Sequence, residues 1–102
     1  MVSAPVTERR IELRLKRAVK QYGGFIRKVV WQGVRGAPDR FVCVNGAACW
    51  VELKAPGQKP GRRQAREHDL LRRHGLRAEV VDSLERADLL IKELADSSCE
   101  VS

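Results

Sequence analysis

The chain has 102 residues, a length typical of one domain, and its hydrophobic content of 43% is that of a folded protein. It carries 20 Lys and Arg against 13 Asp and Glu, an excess that favours a polyanionic partner, most simply nucleic acid. No apolar run approaches the roughly 20 residues that span a bilayer, and the N-terminus lacks an apolar signal core. We therefore expect a cytoplasmic protein without membrane contact. Its three cysteines fit a reducing compartment, and none has metal-ligand spacing.

Hydrophobic periodicity and turn residues predict seven elements in one α/β domain. Thr7 is the expected N-cap of the first helix, which ends at Gly23, and Asp82 with Glu85 forms the expected capping box of the last helix. Between them we predict strands over 25–31, 39–44 and 47–54, a helix over 62–74 and a strand over 77–81. The order α-β-β-β-α-β-α predicts a mixed sheet whose last strand returns through a crossover helix. The ordered core should cover about 7–95, and the tail from 96 to 102 should be disordered.

The central hairpin is the most informative stretch of the chain. Asn45-Gly46 lies between two apolar runs, a strong signal for a two-residue type I′ turn. The register that this turn sets places Asp39 directly opposite Glu52, and Lys54 points to the same face as Glu52. Both faces of the hairpin are largely apolar, and such a sheet is usually covered on both faces.

Two facing carboxylates repel each other, so a stable fold needs a positive charge between Asp39 and Glu52. One interpretation is a divalent cation with oxygen ligands. The alternative is a solvated pair that Lys54 neutralises. The ordered set of Pro-Asp, hairpin and Glu-apolar-Lys favours the cation.

Further candidates lie on the two flanking helices. Glu12 stands at the border of the first helix's apolar face, from which it could reach the sheet. Alternatively, it could be exposed and paired with Lys16. Glu8, one turn earlier, is a second candidate for the helix carboxylate of the site. Gln64 could hydrogen-bond a metal-bound water or the scissile phosphate, or it could satisfy a local backbone group. His68, on the same face, is expected to be a partly buried helix residue. Trp31 and Trp50, both in predicted strands, are expected in the core and not as base-stacking platforms.

Basic side chains flank the acidic centre in the sequence, an arrangement that suits a phosphodiester substrate. These are Arg35, Arg40, Lys59, Arg62, Arg63 and Arg66. Asp39 and Glu52 would hold one or two Mg²⁺ or Mn²⁺ ions, and Lys54 would orient the attacking water or stabilise the phosphate. The chemistry that these groups permit is metal-assisted hydrolysis.

The same residues resemble a known nuclease family. Pro38-Asp39 followed by Glu52-Leu53-Lys54 resembles the PD-(D/E)xK signature. The fuller pattern, from about Glu12 to Leu94, is similar to the VRR-NUC (virus-type replication-repair nuclease) branch. It comprises a Glu in the first helix, Gly36-Ala37-Pro38-Asp39-Arg40, Val51-Glu52-Leu53-Lys54, and Gln64 near the start of the next helix. The resemblance implies a restriction-endonuclease-like mixed sheet.

By this resemblance Asp39 and Glu52 are metal ligands, and the Leu53 carbonyl is a third ligand. Lys54 is catalytic by the same resemblance. Glu12 and Gln64 have supporting roles, and Glu12 is also a candidate metal ligand. Single-domain members are typical of phages and prophages and are similar to homodimeric DNA nucleases that select branched DNA, including four-way junctions. Two readings therefore stand. One is a Mg²⁺- or Mn²⁺-dependent DNA endonuclease, and the other is a non-catalytic basic domain that binds nucleic acid.

Overall fold

A computed structural model describes residues 5–98 as a four-stranded sheet with three helices. The elements are α1 (Glu8–Gln21), β1 (Phe25–Lys28), β2 (Arg40–Val44), β3 (Ala47–Leu53), α2 (Arg62–Arg73), β4 (Ala78–Val81) and α3 (Leu84–Ser98). The strands lie in the order β1-β2-β3-β4, with two antiparallel pairs and a parallel β3–β4 pair joined by α2. The predicted element order and mixed sheet are confirmed. No helix in this part of the chain is long and apolar enough to cross a membrane.

The central hairpin has the predicted turn and register. Asn45 and Gly46 have φ angles of 50° and 85°, the two positive values that a type I′ turn requires. Val44 pairs with Ala47, and the ladder continues to the pair of Arg40 and Val51. The next step beyond that pair places Asp39, just before β2, opposite Glu52 in β3.

One face of the sheet packs against α1 and α3 and forms the main core. The apolar stripes of the two helices are buried at their predicted positions, and the alternate residues of β2 and β3 meet them. These buried residues are Ile11, Leu15, Ala18 and Val19 of α1, Val42, Val44, Cys49, Val51 and Leu53 of the hairpin, and Ala87, Leu90, Ile91 and Leu94 of α3.

The opposite face is only partly covered, so the expectation that both faces are covered is wrong. Helix α2 packs near β4, where the Arg72 guanidinium donates to the Ala78 carbonyl. At the other edge of the sheet, Phe25 of β1 remains 43% exposed. Trp31 and Trp50 pack against each other here with ring centroids 4.9 Å apart, and both are half-buried outside the main core. A short helix at one edge cannot shield a sheet four strands wide.

Some element boundaries differ from the predictions. Strand β1 ends at Lys28 and not at Trp31, whose indole N–H turns to the Pro38 carbonyl at 2.8 Å. Helix α3 is capped by Ser83, whose Oγ accepts the Arg86 N–H at 3.0 Å, so the Asp82 capping box is wrong. That helix continues to Ser98, three residues into the tail predicted to be disordered, while 99–102 lie outside the described residues. The first residue of β2 and of β4, and the last residue of β3 and of α2, each differ from the prediction by one position.

Candidate active site

Asp39 and Glu52 lie at the end of the β2–β3 ladder, where the first turns of α1 and the start of α2 both approach the sheet. Glu52 is half-buried, whereas the Asp39 side chain is 45% exposed. Burial, and then the negative charge of Asp39, raise the pKa of the Glu52 carboxyl group to about 7, against the opposing effect of Lys54. The fold therefore holds a carboxylate where its charge is unfavourable without a nearby cation.

Gln64 ties the start of α2 to this pair. Its side-chain Nε2 donates to Glu52 Oε2 at 3.3 Å, and its Oε1 accepts the backbone N–H of Gly61 at 3.0 Å. The amide oxygen of Gln64 thus binds the backbone N–H of Gly61, the residue before the helix, and its amide nitrogen binds the Glu52 carboxylate. The predicted bond to a local backbone group is therefore present, and the contact with Glu52 places Gln64 beside the carboxylate pair.

Glu12 reaches the sheet from α1, and the interpretation of an exposed Glu12 paired with Lys16 is wrong. Glu12 Oε2 accepts from Arg40 Nε at 3.0 Å and also from Arg40 Nη2. The Arg40 hydrogen bond is the main reason why the pKa of Glu12 is lowered. Glu8, one turn earlier, is exposed but lines the same cleft.

The cleft between these side chains has a volume of about 260 Å³ and is lined mostly by charged groups. Its lining residues are Glu8, Arg9, Glu12, Asp39, Arg40, Glu52 and Leu53. Leu53 both lines the cleft and belongs to the main core. Lys54 follows directly, and its N–H donates to the Val81 carbonyl at 3.0 Å, which holds the Lys54 backbone at the parallel β3–β4 edge.

The donor chemistry of the cleft fits a hard divalent cation. Carboxylate oxygens are the ligands that Mg²⁺ and Mn²⁺ prefer, and Asp39 and Glu52 face each other with a charge that needs compensation. Within residues 5–98, however, no three His, Cys, Asp or Glu side chains are gathered as a ready metal site. Arg40 engages Glu12 through two donors and also lies 3.0 Å from Asp39 Oδ1. Glu52 and the partly exposed Asp39 carboxylate are therefore the groups best suited to hold a cation.

The predicted DNA-binding arginines divide into two groups. The loop before β2 packs on α2, and Arg35, Arg63 and Arg66 share a groove of about 420 Å³ with Gly33, Val34 and Glu67. Lys59 and Arg62 are also exposed. Arg40 does not belong to this surface: its side chain is only 13% exposed, because it turns into the cleft toward Glu12. We call Arg35, Lys59, Arg62, Arg63 and Arg66 the basic rim.

Other reactive side chains stand apart from the cleft. His68 is buried more completely than the sequence indicates, and its Nε2 has no hydrogen-bond partner among the described residues. Cys43 and Cys49 are free thiols on opposite faces of the hairpin, as predicted. Cys99 lies outside the described residues.

Comparison with known proteins decides the family. No protein-family model matches the chain. A protein named "Putative nuclease p44" from Acyrthosiphon pisum secondary endosymbiont phage 1 is 42% identical over 86 residues, which cover 83% of this chain and 92% of the relative. A solved structure described as a VRR_NUC domain superposes with a TM-score of 0.76 at 34% identity, over 85% of this chain and 97% of that one. The chain belongs to the VRR-NUC family.

The role of Arg40 in this VRR-NUC domain is the main feature that sequence reasoning missed. The sequence predicts Arg40 as one of the basic residues around the site, because it flanks the acidic centre in the chain. A usable signal existed, since Arg40 and Val42 share one face of β2 and Val42 is a core position. A charge that starts on the core face needs a buried partner, and Glu12 stands at the border of that core.

The metal-free VRR-NUC domain is expected to lose stability as the pH rises through the titration of Glu52. Its pKa of about 7 in the folded protein lies above its ordinary value of 4.5, so the folded state keeps a proton that the unfolded state has released. The free energy of unfolding should fall between about pH 4.5 and 7 and then level off. We expect a loss of about 1–2 kcal/mol, because solvent screens a half-buried group. Denaturation in EDTA at several pH values measures it.

The titration of His68 also changes the stability with pH, so the experiment needs a control variant that lacks only the Glu52 carboxyl group. Burial, followed by the charge of Arg72, lowers the pKa of His68 below 6.5, so its contribution to stability increases with pH up to about 6.5. That trend opposes the Glu52 trend over part of the same range. Subtracting the pH profile of Glu52→Gln from that of the wild type isolates Glu52. A flat difference profile would contradict the prediction.

Proposed function

We propose that this VRR-NUC protein is a DNA endonuclease that requires Mg²⁺ or Mn²⁺. The observation that carries the proposal is the pair of facing carboxylates, Asp39 and Glu52, with Lys54 two residues after Glu52, just beyond the end of β3. Family membership and the phage nuclease relative support the same activity. The relative's origin also supports a phage or prophage source and action in the cytoplasm of a bacterial host.

The residues have separable roles in this proposal. Asp39, Glu52 and the Leu53 backbone would hold the cation, which when bound supplies a water of lowered pKa and offsets charge on the phosphate. Glu12 supports the cation indirectly, because it holds Arg40, whose Nη1 lies 3.0 Å from Asp39 Oδ1. Gln64 holds Glu52 by its 3.3 Å hydrogen bond and thereby limits the positions of that carboxylate.

Lys54 is the proposed electrostatic catalyst. It follows Leu53 directly and lies at the end of β3, where the parallel partner strand fixes its backbone. An ammonium group at this place can orient the attacking water or stabilise the negative charge that develops on the phosphate oxygens. Both roles depend on position and charge and require no change of bonding at Lys54.

The basic rim is the proposed binding surface for the DNA backbone. The groove that contains Arg35, Arg63 and Arg66 lies at the start of α2, and Gln64 joins the same turn of helix to the cleft. Phosphates held on the rim would therefore lead toward Asp39 and Glu52. Such contacts carry no sequence information, so binding should depend steeply on salt and little on base sequence.

The metal requirement tests the proposed activity. Purified protein is expected to nick supercoiled plasmid with Mg²⁺ or Mn²⁺, and to be inactive with EDTA or with Ca²⁺ alone, because Ca²⁺ is larger and tolerates looser coordination. Gel electrophoresis of the plasmid follows the reaction. Undiminished cutting in excess chelator would refute the metal role, and binding without cutting in every metal would favour the non-catalytic basic domain.

We further propose that the protein acts as a homodimer on branched DNA. One small domain has one cleft and makes a single cut per encounter, whereas paired cuts across a four-way junction need two clefts related by a two-fold axis. Light scattering at micromolar concentration is expected to give the mass of a dimer. Competition between a four-way junction and linear duplex of equal length should favour the junction, and a monomer that cuts both equally would contradict the proposal.

A further inference from the structure

The Arg40 guanidinium is enclosed by carboxylates. Its Nε and Nη2 both donate to Glu12 Oε2, and its Nη1 lies 3.0 Å from Asp39 Oδ1. The side chain is 13% exposed, and that of Glu12 is 19% exposed. The Arg40 guanidinium therefore links Glu12 of α1 to Asp39, the residue before β2. These are two of the three acidic groups proposed for the site.

The charges in the cleft suggest what this arrangement does. The lining contains four carboxylates, those of Glu8, Glu12, Asp39 and Glu52, and two guanidinium groups, those of Arg9 and Arg40. Acidic groups outnumber basic groups in this lining, so the cleft favours a bound cation. Sites that bind two metal ions place them roughly 4 Å apart among shared carboxylates. In this cleft a permanent side-chain cation already lies among the carboxylates.

We infer that Arg40 is a positioning residue that takes the place of a second metal ion, so that the cleft accepts a single divalent cation at Asp39 and Glu52. This inference rests on the proposed metal dependence. Arginine suits the role because its guanidinium keeps its charge at every working pH and offers several donors in one plane. Glu12 then acts on the cation only through Arg40, and Asp39 is shared between Arg40 and the cation.

Metal stoichiometry measured by isothermal titration calorimetry with MnCl₂ on the full chain tests the inference without relying on activity. The wild type is expected to bind one ion per chain. Arg40→Gln removes the charge and most of the donors, so it should bind two ions, the first about tenfold more tightly than the wild type does. In EDTA its melting temperature should fall, because Glu12 and Asp39 lose their common partner.

Arg14→Gln is the matched control. Arg14 forms a two-point ion pair with Asp88, with distances of 3.0 and 2.8 Å, and so joins α1 to α3 as Arg40 joins α1 to the sheet. Its loss should lower the melting temperature and leave the stoichiometry at one. If folded Arg40→Gln binds one ion with wild-type or lower affinity, Arg40 has the same purely structural role as Arg14 and the inference is overturned.

Arg40→Lys keeps the inference testable if Arg40→Gln does not fold. It retains the positive charge with fewer donors, so it should bind one ion and melt at a lower temperature than the wild type; two ions would overturn the inference. A wild type that binds two ions and cuts DNA also overturns it and leaves the proposed function intact. A wild type that neither binds Mn²⁺ nor cuts removes the proposed function, and the inference with it.

Discussion

Replacing Glu52 by Gln, Asp39 by Asn, or Lys54 by Ala is expected to lower DNA cleavage about 10²–10³-fold each while the protein stays folded. The carboxylate changes keep the side-chain shape but remove the charge that would hold the cation in the proposed site. The Lys54 change removes the charge that is proposed to act on the phosphate or the attacking water. Initial rates of plasmid nicking at saturating Mg²⁺, together with circular dichroism, measure both parts of the prediction.

The stability of these variants should separate the two carboxylates. Glu52→Gln should raise the melting temperature in EDTA above pH 7, because it removes a half-buried charge whose pKa is raised. Asp39→Asn should have a smaller effect, because relief of the repulsion with Glu52 is offset by loss of the ion pair with Arg40 at 3.0 Å. A variant at any of the three positions with wild-type turnover would contradict the assigned site.

Exposed residues of the same types provide the controls. Asp69 lies on α2 and pairs with Arg72 at 3.4 Å, and Lys92 is exposed on α3. Asp69→Asn and Lys92→Ala change the net charge by the same amounts as the site variants do. Both should cleave at wild-type rates, so that any loss seen at Asp39, Glu52 or Lys54 is a property of the cleft.

Gly36→Ala should destabilise the protein by about 2–4 kcal/mol and also reduce cleavage. Gly36 has a φ angle of 89°, which strains any residue with a Cβ atom. A Cβ there would lie 2.9 Å from Arg63 Cγ and 3.0 Å from the Arg63 carbonyl carbon and oxygen. Those backbone atoms can move only if the start of α2 moves, and Gln64 moves with it, away from Glu52.

Gly33→Ala separates the strain from the close contact. Gly33 lies in the same loop with a φ angle of 74°, but a Cβ added there meets nothing within 4 Å. Its cost should be about 1 kcal/mol, from the backbone angle alone. Urea denaturation of both variants, with cleavage assayed where both are folded, measures the difference. Equal losses would show that the contact between the loop and α2 has no energetic weight.

The hairpin could be predicted from the sequence because its determinants are local. The two positive φ angles at Asn45 and Gly46 set the turn, and the period of two along each strand then determines which side chains face each other. The opposition of Asp39 and Glu52 follows from those two facts. Helix stripes are equally local, which explains why Ile11, Leu15 and the other predicted positions are buried.

The partners of the charged side chains were decided by tertiary structure. Glu12 and Arg40 are 28 positions apart, and they meet because α1 packs against the face of the sheet that holds the main core. Sequence proximity to Asp39 indicated a DNA contact for Arg40, whereas burial made it a partner of Glu12. The uncovered part of the sheet around Phe25 has the same origin, since it depends on where α2 packs.

The sequence by itself thus determined the elements, the hairpin register and the family pattern, because backbone torsions and side-chain periodicity act over a few residues. Only the tertiary structure decided how the charges in the cleft are balanced and how far each is buried. Ion pairing and desolvation depend on distances through space between segments far apart in the chain. The roles of Arg40, Glu12 and Gln64 could therefore be distinguished only once the helices had been placed on the sheet.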